Sequence, residues 1–225
     1  MARLPIAVLL LMVLMSVVSA GILDSIKSVL GITSSSTSSA IQQDSSGANL
    51  PNYFRIEAEL VRMDNVGGIK STGGSCDTIG QCDPVVYAYL DVLKPTGPFP
   101  GSRAVEAFPQ VFTIDDVNSP KINTVVSADV CNKELTKATL RVHVMDRNKL
   151  FTDSLISDFD CYVGGSVGRN VNDAKWANTG NCVGKFMPDK IKFVFRSRIY
   201  RIDPKLCVES ANQAPAATTS KSIFG

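Results

Sequence analysis

The chain has 225 residues, with 23 basic and 21 acidic side chains, a single histidine and six cysteines. Charge so nearly balanced argues against a dedicated nucleic-acid binder, which concentrates cations on one surface. One histidine and cysteine spacings that match no zinc pattern argue against a structural zinc site.

Residues 1–20 read as a secretory signal peptide. Met1-Ala2-Arg3 gives a positive start, Leu4 to Val18 is an almost unbroken apolar run, and Val18-Ser19-Ala20 supplies small residues for cleavage. The run is shorter than the roughly 20 residues of a spanning helix. No later segment is apolar enough to span, so the expected product is a secreted, extracellular protein. Asn-x-Ser/Thr sequons are absent, so no N-linked glycan is expected.

Residues 21–49 divide into two parts. From Gly21 to Ile32, the apolar Ile22, Leu23, Ile26, Val29 and Leu30 recur at helical spacing. This predicts a short amphipathic helix suited to a membrane surface or a partner groove. A pro-segment, or a helix docked on its own domain, is the alternative. Ser34 to Ser46 is dominated by serine and threonine, a linker composition too polar to order itself.

Residues 50–210 change to a period of two. Phe54, Ile56, Ala58 and Leu60 alternate with Arg55, Glu57, Glu59 and Val61, the pattern of a half-buried strand. Further strands are predicted over 85–93, 104–114, 122–130, 140–145, 155–163 and 191–199, separated by Gly, Pro, Asn and Asp clusters. No long helical pattern intervenes. The expected fold is all-β, an antiparallel β-sandwich of about seven to eight strands. Residues 211–225, rich in Ala, Thr, Ser and Pro, read as a disordered tail.

Export gives the cysteines their meaning. Cys76, Cys82, Cys131, Cys161, Cys182 and Cys207 are even in number and lie beyond the leader, so they predict a disulfide framework. Six cysteines allow fifteen connectivities. Cys76 with Cys82 is the one pair singled out, because both sit in a single short loop.

Two stretches resemble a known family. Cys82-Asp83-Pro84-Val85-Val86-Tyr87-Ala88-Tyr89-Leu90 is similar to the Asp-Pro-Tyr-Val strand of the C-two (C2) domain, the calcium- and phospholipid-binding sandwich. Leu140 to Asn148, with Asp153-Ser154-Leu155-Ile156 after it, resembles that family's strand-then-acidic-loop signature, and Trp176 with the strand from Lys190 to Ile202 resembles its closing segment. Secretion, disulfides and the loop Gly73-Gly74-Ser75-Cys76-Asp77 are similar to the extracellular variant at the amino terminus of Notch ligands. No growth-factor-like modules accompany it, so Notch activation is not implied.

The resemblance implies a calcium site. Its ligands would be Asp64 or Asp77 with Asp83 from one loop, and Asp146, Asn148 and Asp153 from the other. Calcium takes six to eight oxygens, mostly from carboxylates. Asn148 stands where the family usually has aspartate, and Asp153 arrives one residue early, so binding in the roughly millimolar range of extracellular modules is expected. The alternative makes Asp83 and Asp146 turn residues that bond nearby amides.

A second candidate is the last strand, whose alternation sends Lys192, Arg196 and Arg198 to one face. Such a face meets anionic lipid headgroups or glycans by charge; the alternative is an ordinary solvated face. His143, which alternation turns outward with Arg141 and Met145, has no nucleophile motif beside it, so no enzyme is expected. The expected function is non-catalytic recognition of a membrane or cell surface with weak calcium dependence. The alternative is calcium-independent binding of an extracellular protein, or a structural role, with specificity in the Cys76–Cys82 loop.

Overall fold

The structure, a computed structural model, describes residues 41–42, 52–148 and 152–209. The predicted signal peptide, the amphipathic segment and the carboxy-terminal tail lie outside the described residues. Within the predicted linker, Ile41–Gln42 form a short strand, β1. The chain continues through β2 (Tyr53–Asp64), β3 (Pro84–Asp91), β4 (Gln110–Thr113), β5 (Lys121–Cys131) and β6 (Thr139–Asp146). It then forms β7 (Ser154–Tyr162), β8 (Gly165–Gly168), β9 (Gly180–Asn181), β10 (Val183–Gly184) and β11 (Lys192–Arg201).

These strands make two sheets, one ordered β1-β8-β11-β2-β5 with β9 beside β11, the other β10-β7-β6-β3-β4. The long pairings are antiparallel, as expected, whereas β8 runs parallel to both β1 and β11. The segment 104–114, predicted as one strand, is instead a single 3-10 turn at Val105–Ala107 followed by β4.

Period-two patterning explains the packing. Phe54, Ile56, Ala58 and Leu60 from β2 and Phe193, Phe195 and Ile199 from β11 face Val86, Ala88 and Leu90 from β3 and Leu140, Val142 and Val144 from β6. Phe159 and Phe193 meet between the sheets with ring centroids 5.3 Å apart. Burial of each large apolar side chain contributes about 1.5–3 kcal/mol, offsetting the conformational entropy of ordering the strands.

Three disulfides pin the sandwich: Cys76–Cys82, Cys131–Cys207 and Cys161–Cys182. The first closes a loop, the second ties β5 to the segment after β11, and the third ties β7 to the turn between β9 and β10.

The outer face of the second sheet carries a feature that alternation does not reveal. Alternation turns Arg141 outward beside His143, yet Arg141 is 1% exposed. The connection 92–109 folds back over this face. The Arg141 guanidinium donates to Asp160 at 2.6 Å and to the carbonyls of Lys94 (2.9 Å) and Gly97 (2.8 Å), and it pairs with Asp91 at 3.4 Å. Lys185 also pairs with Asp160. Gly101, at φ +89°, lies against this cluster, and a Cβ there would overlap the Asp91 carboxylate. Burial alone would raise the Asp91 carboxyl; bonds from the Lys94 amide and from the Ser102 hydroxyl and amide, with the charge of Arg141, outweigh it and hold the group below its ordinary value.

Candidate cation site at the acidic loop end

Strand pairing fixes which acidic residues meet. Pro84 pairs with Asp146, and Asp146 with Ser154, so β3, β6 and β7 bring their loops to one end of the second sheet. There the Asp83 amide donates to Asp146 Oδ1 at 2.8 Å, and the Ser154 hydroxyl donates to Oδ2 at 3.4 Å. Asp83 Oδ1 accepts the Asp116 amide at 2.6 Å, and Asp116 in turn accepts the Gln81 amide at 2.7 Å. Asp146 is 0% exposed. Burial pushes its carboxyl above the ordinary value, and the charges of Asp77 and Asp83 push the same way, against the bonds from Asp83 and Ser154.

The loop that carries Asp77 is braced from within. Asn65, fully buried at the end of β2, donates to the Ile69 carbonyl at 2.9 Å and accepts the Ile69 amide at 3.1 Å. Cys76 and Cys82 lie beneath the carboxylates, with ligand-type atoms of both within 4.8 Å of Asp146. Their sulfurs are joined to each other and offer no thiolate.

The six acidic or amide candidates therefore divide. Asp77 and Asp83 lie near enough for their charges to act on Asp146, but among the described residues the three carboxylates do not form one cluster of ligand atoms within 4.8 Å. Asp64, on the other sheet, is bonded by Arg62 at 2.9 Å. Asp153 accepts the Asn148 amide at 2.9 Å, while the Asn148 side chain donates to the carbonyls of Asp146 and Thr152, so this pair is engaged with each other and with nearby backbone. Sequence reading missed Asp115, which pairs with Arg147, and Asp116, which organises the Asp83 loop. The available signal was the Asp115-Asp116 run before Asn118-Ser119-Pro120. Oxygen donors suit a hard cation, but the compact group of ligand-type atoms among the described residues is Asp146 with the sulfurs of the Cys76–Cys82 disulfide, so the carboxylates do not stand as a preformed ion cage. Three carboxylates are fewer than a tight site uses.

The cationic face of β11 looks different in register. Arg196 pairs with Glu59, Arg198 donates to Glu57 Oε2 at 2.6 Å, and the Tyr200 hydroxyl donates to Glu57 Oε1 at 2.7 Å. Trp176 covers both arginines, its ring centroid 5.1 Å from the Arg196 guanidinium and 4.7 Å from that of Arg198. Lys192 stays exposed, opposite Asp64. β2 thus neutralises the two arginines. His143 is held by Asp158, Nδ1 to Oδ1 at 2.6 Å, next to Tyr87.

Two facing sheets pinned by three disulfides make a β-sandwich, and its solved structural neighbours are C2 domain proteins. The chain is similar to a C2 domain protein from Ramazzottius varieornatus, at 29% identity and a TM-score of 0.66, over 73% of this chain and 98% of that one. More distant likenesses are human GIVD cytosolic phospholipase A2 (12% identity, 68% of this chain, 18% of that one, TM-score 0.45) and the C2A domain of plant Extended Synaptotagmin 1 (13%, 68% and 98%, 0.41). No protein-family profile matches the chain, and no curated protein does.

Proposed function

We propose that the chain is an exported, non-catalytic recognition module that presents its acidic loop end to a membrane surface, with calcium held weakly between the loops. The observation that carries this reading is the placement of Asp77 and Asp83 at the same loop end as buried Asp146, close enough for their charges to act on its carboxyl. Asp77, Asp83 and Asp146 would hold the ion, which would neutralise their mutual repulsion and screen the loops from anionic headgroups. Apolar side chains in the same loop support a lipid partner: Ile79 is 93% exposed and Val66 is 87% exposed. The leader and the three disulfides support export, and the cystine-closed loop supports the finer likeness to the Notch-ligand variant.

A specific observation favours the second reading, calcium-independent recognition of an extracellular protein. Both oxygens of Asp146 already accept hydrogen bonds, and the Asn148 side chain already donates to the carbonyls of Asp146 and Thr152. The two readings part in one experiment on the full chain recovered from a secretory host. Saturating calcium at one hundred times its dissociation constant adds about 2.7 kcal/mol to stability over chelator. Asp146→Asn is expected to remove that gain and Asp203→Ala to keep it. Co-sedimentation with phosphatidylserine vesicles should require calcium and weaken in Ile79→Ser. No stabilisation at any calcium concentration eliminates the first reading and leaves the second.

Asp146 also makes a prediction without the ion. Its folded carboxyl holds its proton more tightly than the unfolded one, so its contribution is fully present below the unfolded value of 3.8 and is lost as pH rises through the folded value. In chelator, Asp146→Asn should therefore be more stable than the parent at pH 7, with the gap closing towards pH 3. Urea midpoints at a series of pH values check this.

A further inference from the structure

We propose that Cys76, Cys82 and Asp146 form a zinc site that opens when the Cys76–Cys82 disulfide is reduced. Ligand-type atoms of the three residues all lie within 4.8 Å of one another, and all three residues are buried. A tetrahedral zinc ion, with sulfur at about 2.3 Å and carboxylate oxygen at about 2.0–2.2 Å, sets such atoms about 3.5–3.8 Å apart. Side-chain rotation is enough to bring both sulfurs and the carboxylate onto one ion. Water takes the fourth position, the open arrangement of three protein ligands. Thiolates select zinc over a hard cation such as calcium, so this site does not rest on the calcium reading and has only Asp146 in common with it.

The surroundings keep the two sulfurs together without the bond between them. The Cys76 amide donates to the Gly68 carbonyl at 2.8 Å, and the Cys82 amide donates to Asn118 Oδ1 at 2.8 Å. Ile69 bridges Ser75 across the same loop. Buried Asn65 donates through Nδ2 to Cys82 Sγ at 3.7 Å, the kind of outer contact that orients and supports a metal-bound sulfur. Of the three disulfides this one closes the shortest loop, a separation of 6 residues against 21 and 76. By chain entropy its opening therefore costs the fold least. Asp77 to Gln81, between the two cysteines, are exposed or half-buried, so a local opening of this loop admits a reductant without unpacking the sheets. A dithiol attacks one sulfur, leaves two thiols in the chain and departs as its own cyclic disulfide. Zinc then displaces both thiol protons and binds the two thiolates with the Asp146 carboxylate.

The test uses the full chain recovered from a secretory host, in calcium-free buffer. The folded protein is treated with dithiothreitol, freed of it anaerobically by gel filtration, and mapped by alkylation and peptide mass. Cys76 and Cys82 should be labelled before the other cysteines. The reduced chain should then retain stoichiometric zinc through a second gel filtration, and the oxidised chain none. Cadmium in place of zinc should give the ultraviolet absorption of sulfur-to-metal charge transfer. Cys76→Ser/Cys82→Ser, treated alike, should retain no zinc and show no such band. Asp146→Asn should keep the band and bind zinc at least about tenfold more weakly. The proposal is overturned if dithiothreitol leaves Cys76–Cys82 closed in the folded chain, or if the reduced chain retains no zinc. It is equally overturned if the double serine variant retains as much zinc as the parent, or if Asp146→Asn binds it as tightly.

Discussion

Replacing Arg141 with alanine is expected to cost the fold about 3–5 kcal/mol, the range seen when one partner of a buried ion pair is removed. Arg141 is among the largest fully buried side chains, and its charge sits between Asp91 and Asp160. Without it, the carbonyls of Lys94, Pro95 and Gly97 each lose one donor as well. Lysine should not rescue the site, because an ammonium cannot reproduce the planar fork that reaches both carboxylates and the turn of 92–109. The shift in denaturant midpoint at unchanged slope measures the loss, and a change below about 1 kcal/mol would place this site in the range of ordinary exposed ion pairs. The pH dependence gives a second readout. Asp91 is held below its unfolded value of 3.8, so its contribution is present above that value and is lost as pH falls through the folded one. Part of that acid-induced loss should vanish in Arg141→Ala.

Removing the Cys131–Cys207 disulfide is the second large effect. The bond joins residues 76 apart in sequence. By chain entropy it is worth about 4 kcal/mol, on the order of 10 °C in melting temperature for a domain of this size. The link also holds Val208 against Asp129, whose carboxylate accepts the Val208 amide at 3.0 Å and the Arg55 guanidinium at 2.7 and 2.8 Å. The double variant Cys131→Ser/Cys207→Ser should therefore lose more than Cys161→Ser/Cys182→Ser, whose loop spans 21 residues. Calorimetry of the two double variants decides this, and the reverse order would mean that residual unfolded structure, not loop closure, sets the cost.

The residues of β2 show why the strands were readable. Phe54, Ile56, Ala58 and Leu60 are all 0% exposed while the residues between them are polar or half-exposed. One-sided burial writes itself into the sequence at a period of two. The same logic located β5, β6, β7 and β11. It failed at 104–114, where the chain turns over Tyr89 and packs Phe108 against that ring at 4.6 Å. A contact between β3 and a loop that returns to it leaves no local period to detect.

The candidate site was readable as a set of residue types but not as a constellation. Asp83 and Asp146 are named through the resemblance of their strands to the C2 family, whereas the choice between Asp77 and Asp64 depends on which sheet each strand joins. The arginines of β11 show the same limit more sharply. Seen along one strand they are a cationic face; seen in register with β2 they are half of a neutral ladder with Glu57 and Glu59.

What the sequence determined by itself was local: the strand segments, the even set of cysteines, the close pair at Cys76 and Cys82, and the acidic character of the loops. The tertiary structure alone decided the partners. It joined Cys131 to Cys207 and Cys161 to Cys182, buried Arg141 under the 92–109 connection, and set Arg196 and Arg198 against Glu59 and Glu57. The physical reason is that burial imposes a period that neighbouring residues share, whereas pairing between charges, sulfurs and strand edges depends on register between segments far apart in the chain.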